Sequence, residues 1–140
     1  IKIYLFEPLP ENISRLKTNL QGFESRYELH EVAVGLENGH ADFGFEATGR
    51  YGGLKSNLPE TIQVQVRKVE EIISSILEKE DHIDILKIDV EGLETAIVKS
   101  LSPDNLKNIN RVYAETIYSE CLPGFDKEQY GEVVRFRKIL

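Results

Sequence analysis

The chain has 140 residues, 41% of them hydrophobic, which is enough for a single globular domain. Its formal charge of −7 and its lack of a basic cluster beyond Arg135-Phe136-Arg137-Lys138 disfavour a phosphate backbone as ligand, so nucleic acid is not expected. One cysteine, Cys121, cannot pair within the chain, which favours a reducing compartment such as the cytoplasm or simply the absence of a disulfide framework; no apolar run reaches membrane-spanning length.

Residues 1–6 read as a strand ending at Glu7 and stopped by Pro8 and Pro10. Ile13, Leu16 and Leu20 then share one helical face, and Gly22 closes that helix. A second strand is expected over 27–34, which completes a βαβ unit. The period then changes. Ala41, Phe43 and Phe45 alternate with polar residues, as do Ile62, Val64 and Val66, so these two strands should pair antiparallel with one wet face. Thr48-Gly49-Arg50-Tyr51-Gly52-Gly53 between them reads as a plain loop or a substrate flap, since its glycine spacing fits no phosphate-binding motif.

Val69, Ile72, Ile73, Ile76 and Leu77 form the apolar stripe of an amphipathic helix. Residues 83–88 are apolar apart from Asp84 and Lys87, the pattern of a central parallel strand covered on both faces. An acidic turn, Asp89-Val90-Glu91-Gly92, follows, and Leu93, Ala96, Ile97 and Leu101 recur at helical spacing. Lys87 should therefore be buried and paired with Asp89 or Glu115, unless its stem carries the ammonium out to the strand edge. Ser102-Pro103 caps a short helical turn, 111–116 is another strand, and 126–140 leans helical.

Chemistry concentrates where strands end in carboxylates: Glu7, Asp89 with Glu91, and Glu115. In parallel strands these ends share one sheet edge, the place where open α/β sheets bind ligands. Taken singly, each acid has a blander reading as a cap of the following helix. An acid at the position of Glu7 suits the vicinal hydroxyls of a ribose, but no G-x-G-x-x-G lies in the chain to precede it. His30, His40, His82 and Cys121 show no metal-ligand spacing, and no serine sits in a nucleophile elbow.

Phe6-Glu7-Pro8 with Asn12 and Leu16, Val32-Ala33-Val34-Gly35, and Leu86-Lys87-Ile88-Asp89-Val90-Glu91-Gly92 with Glu94 together resemble the FkbM-type S-adenosylmethionine-dependent methyltransferases. The resemblance covers residues 1 to about 117. It implies a Rossmann-like class I methyltransferase sheet with helices on both faces. It also implies Glu7 at the cofactor ribose, Ala33 near the adenine, and Asp89 beside the methionine end or the acceptor. The expected reaction is O-methylation of a hydroxyl on a sugar or secondary metabolite, with Asp89 or Glu91 taking the proton. The absent glycine motif, the lack of any methionine and the apparent lack of closing antiparallel strands make the fold look incomplete at both its N-terminal and C-terminal ends. A strand before Ile1 is then expected between those ending at Glu7 and Asp89, and the 140 residues alone are expected to be marginal and inactive. Two rivals are a nicotinamide-dependent oxidoreductase, which uses the same strand-end acid, and a truncated scaffold that binds nothing.

Overall fold

The computed structural model describes residues 1–49, 51–54 and 57–139, in two compact units, 1–67 and 68–140. The first unit opens with β1 (Ile3–Phe6), α1 (Pro10–Asn19) and β2 (Tyr27–His30), a 3-10 turn (Glu24–Arg26) preceding β2. β1 and β2 pair in parallel, from Ile3 opposite Tyr27 to Phe6 opposite His30, as the βαβ reading requires. Pro10 sits in the first turn of α1, where its missing N–H costs nothing.

The expected strand over 27–34 is two strands. β2 stops at His30, and β3 (Ala33–Gly35) begins a second sheet with β4 (Gly39–Phe45), β5 (Gly52–Leu54) and β6 (Glu60–Lys68), in the order β3-β6-β4-β5. β4 and β6 run antiparallel, with Ala41 opposite Val64 and Phe43 opposite Ile62, so the alternating residues meet face to face as expected. Leu9, Ala33, Phe43, Val64 and Val66 form this unit's core. The glycine-rich loop is shorter than the sequence suggests, because Gly52 and Gly53 belong to β5. A Cβ on Gly52 would stand 2.6 Å from the Phe43 ring, so the aromatic packs only against a bare backbone. Arg50, in that loop, lies outside the described residues.

The second unit contains α2 (Val69–Leu77), β7 (Leu86–Ile88), α3 (Glu94–Ser100), α4 (Pro103–Leu106), β8 (Arg111–Ala114), β9 (Phe125–Tyr130) and β10 (Val133–Lys138). Its sheet has the order β7-β8-β10-β9, with β7 and β8 parallel and β8, β10 and β9 antiparallel in turn. Ile97, Val98, Ile109, Val112, Val134 and Phe136 are fully buried within the unit. Ser102 caps α4 by accepting the Asn105 N–H, and Pro103 fills the first helical position, as the sequence indicates.

Three expectations fail here. The segment 126–140 is not helical: through Lys138 it is a β-hairpin turning at Gly131-Glu132, with Gly131 at φ +58°. Glycine at the first position of a two-residue connection suits a type II′ turn, and Val134 and Phe136 then alternate inward. The segment that seemed to lack antiparallel strands thus supplies two, β10 pairing with both β8 and β9. Nor is 83–88 a buried central strand. β7 is an edge of its sheet, only Ile88 is buried, and Ile85 is 57% exposed. Lys87 accordingly points into solvent, its side chain 67% exposed, and pairs there with Asp89. The α/β class stands, with the described strands divided among three sheets.

Candidate functional site

Asp89, Glu91, Glu94 and Glu115 converge in the second unit. The parallel pairing of β7 and β8 sets Ile88 opposite Ala114, and the Glu115 N–H donates to the Ile88 carbonyl at 3.2 Å. The residues that follow each strand, Asp89 and Glu115, therefore leave the sheet side by side, close enough for the charge of one to act on the other.

Between β7 and α3 the chain reverses through a left-handed pair. Glu91 has φ +48° and Gly92 φ +98°, and Glu91 is the only non-glycine with positive φ among the described residues. For a residue with a Cβ that conformation is uncommon and costly. The turn is held from the helix side. Glu94, 7% exposed, accepts the Val90 N–H at 3.1 Å on one carboxylate oxygen and the Gly92 N–H at 2.9 Å on the other. No side chain caps α3, so the bland reading of Glu91 as a helix cap does not hold, and Glu94 instead braces the turn before the helix. Its signal in the sequence was an acid in the first turn of a helix that follows glycine.

The electrostatics follow from this crowding. Partial burial pushes the Glu91 carboxyl above its ordinary range, and the charges of Asp89, Glu94 and Glu115 push it further. Glu115 is pushed up, chiefly by the neighbouring Asp89 carboxylate, with Lys87 pulling the other way. Crowded carboxylates of this kind retain protons to higher pH than isolated ones.

Glu7 and Ala33 lie in the first unit. Glu7 follows β1, its N–H donates to the His30 carbonyl at 3.1 Å, and its Oε1 accepts the Leu9 N–H at 2.9 Å. One carboxylate oxygen is thus spent on the turn into α1. Ala33 is a core residue, 3% exposed, at the start of β3. The same unit holds a feature that the sequence gave no hint of. Asn12 and Arg15 on α1 each donate to a backbone carbonyl of the 46–49 loop, Gly49 and Thr48, both at 3.0 Å. Beneath that loop an apolar cavity of about 260 Å³ is lined by Leu9, Pro10, Glu11, Phe45, Gly49 and Ile62.

No group of histidine, cysteine or acidic side chains among the described residues has a metal-binding arrangement. Among the same residues, no helix is long and apolar enough to cross a membrane. A search of curated proteins and a search of solved structures each return no match. The family model described as the methyltransferase FkbM domain matches residues 1–138, nearly the whole chain. With the acidic turn at Asp89-Val90-Glu91-Gly92 inside that match, the chain belongs to the FkbM methyltransferase domain family.

Proposed function

We propose that residues 1–140 belong to a single Rossmann-like class I domain, of which they are a part, and that this domain uses S-adenosylmethionine to methylate a hydroxyl oxygen on a small molecule, a sugar or a secondary metabolite, in the cytoplasm. The observation that carries this reading is the carboxylate group after β7 and β8, where Asp89, Glu91 and Glu115 crowd around a left-handed turn. Bound S-adenosylmethionine supplies an electrophilic methyl on a sulfonium, and its transfer to a hydroxyl oxygen releases one proton. Asp89 or Glu91 takes that proton as general base. A carboxylate raised above its ordinary range is the better base at neutral pH, because its affinity for the proton lies closer to the working pH. The negative charge of the group also suits a cation. Beyond this the chain contributes proximity and orientation, the main requirement of a displacement in line.

Glu7, Ala33 and Asp89 are the residues that would hold the cofactor. Glu7 commits Oε1 to the Leu9 N–H and keeps its other oxygen as an acceptor for a ribose hydroxyl. At Ala33 the buried methyl leaves backbone rather than side chain to face an adenine. Asp89, solvent-accessible and paired with Lys87, serves the methionine end.

Calorimetric titration of S-adenosylmethionine into the natural full-length protein tests the assignment. Glu7→Ala is expected to weaken binding by about 1.5–3 kcal/mol, the range for a lost charged hydrogen bond. Unchanged affinity would remove Glu7 from the ribose. Absence of binding by the unmutated protein would remove the cofactor itself.

A further inference from the structure

We infer that Glu94 is a positioning residue: by accepting the Val90 and Gly92 N–H groups on its two oxygens, it imposes the left-handed backbone at Glu91 that turns the Glu91 carboxylate toward Asp89 and Glu115. This rests on the reading of Asp89 and Glu91 as the proton-accepting pair, and it adds a residue which that reading does not use.

The geometry makes the case. A left-handed residue other than glycine, asparagine or aspartate persists only where its surroundings over-determine it, and such strain gathers at functional sites. Here the surroundings are one buried carboxylate bridging the amides on both sides of Glu91, at 3.1 and 2.9 Å. The chain has a cheaper solution beside it, since Gly92 already supplies a left-handed residue with open space around its Cα. A turn needed only to join β7 to α3 gains nothing from also forcing a glutamate through the costly region. What the strain does achieve is to bring Glu91 close enough to feel the charges of Asp89 and Glu115. Glu94 must offer two acceptor oxygens at its full length to do this. One oxygen per amide is required, so an amide side chain or a carboxylate one methylene shorter cannot satisfy both.

Amide hydrogen exchange and NMR on Glu94→Gln and Glu94→Asp test the inference. Both variants should exchange those two amides at least tenfold faster, with Val112 and Val134 unchanged. In Glu94→Asp, which keeps the charge, the amide-to-Hα coupling of Glu91 should leave its left-handed value and the Glu91 carboxyl should titrate at lower pH. Methyl transfer should lose at least tenfold in kcat, with KM for S-adenosylmethionine within twofold. An aspartate variant indistinguishable from the unmutated protein at Val90, Glu91 and Gly92 overturns the inference, since charge alone would then suffice. Exchange that quickens throughout the unit overturns it too, reducing Glu94 to a general structural support. Should Glu94→Gln fail to fold, Glu94→Asp decides. An unmutated protein without methyl transfer defeats the proposed function, while exchange and coupling still judge Glu94.

Discussion

Two strand-to-helix turns in this protein begin with an acidic residue and solve the same problem differently. After β1, Glu7 itself ties down the turn by accepting the Leu9 N–H, and Pro10 starts α1 without needing a cap. After β7, Asp89 and Glu91 do none of that work, because Glu94 reaches back from α3 to hold the Val90 and Gly92 amides. The lesson is that an acid just past a strand is not yet a site. What matters is whether another residue has relieved it of capping. By that measure the second turn leaves Glu91 free of holding the backbone, while the first spends one oxygen of Glu7 on it.

The contrast is open to attack. Its largest consequence is at Glu94, where alanine strands two amides next to a buried position. Glu94→Ala is expected to cost about 3 kcal/mol in urea unfolding, the upper range for hydrogen bonds to a charged group. A cost below about 1 kcal/mol would erase the distinction between the turns. Glu7→Ala removes one such bond from a half-buried turn and should cost about 1 kcal/mol in the same assay. Losses of equal size at the two sites would mean that both acids are simply caps.

Replacing Glu91 sharpens the comparison in the opposite direction. Glycine adopts φ +48° without the Cβ penalty, so Glu91→Gly should stabilise the fold by about 0.5–1 kcal/mol while impairing methyl transfer. A destabilised Glu91→Gly would show that the turn carries no strain.

The smallest effect is that of Glu115→Gln, and it depends on pH. The folded protein holds the Glu115 proton above the ordinary value of 4.5, so the stability this group contributes is complete below that value and is lost as pH rises through its folded pKa. Glutamine never ionises. The variant should therefore melt slightly above the unmutated protein at pH 7, and the difference should close as pH falls toward 4.5. A variant that melts lower at pH 7 would contradict the crowding of Asp89 with Glu115.

Periodicity made much of this legible. The alternation of Ala41, Phe43 and Phe45 with Ile62, Val64 and Val66 fixed an antiparallel pair, and Ser102-Pro103 fixed a helix start. The acidic turn was also visible, because glycine and carboxylates punctuate an apolar run at Asp89-Val90-Glu91-Gly92. Failures came where local pattern and tertiary placement part company. Asp126-Lys127-Glu128-Gln129 looked helical because its charges mask the strand, yet charge is what an edge strand such as β9 carries to discourage further pairing. The break at Glu31-Val32 has neither glycine nor proline, so the passage from one sheet to another left no mark. Apolar 83–88 suggested an interior strand, but hydrophobicity does not say which side of a pair stays open. Glu94 shows no role in the sequence, since bridging two amides is a property of geometry rather than of spacing.

The position of β10 bears on how the second unit comes into being on the ribosome. It follows β7, β8 and β9 in sequence, yet it lies between β8 and β9 and brings in Val134 and Phe136, both fully buried. Synthesis at about 5–20 residues per second therefore delivers the middle of the sheet after its flanks. Until β10 emerges, β8 shows a bare edge on the side away from β7, and the apolar residues that will cover Val112 are not yet made. The two-residue link at Gly131-Glu132 shortens the rest of the wait, because a local hairpin closes in about 1–10 μs once both strands exist. The interval in which this unit is open to chaperones and to stray strand pairing is thus set by translation, not by conformational search.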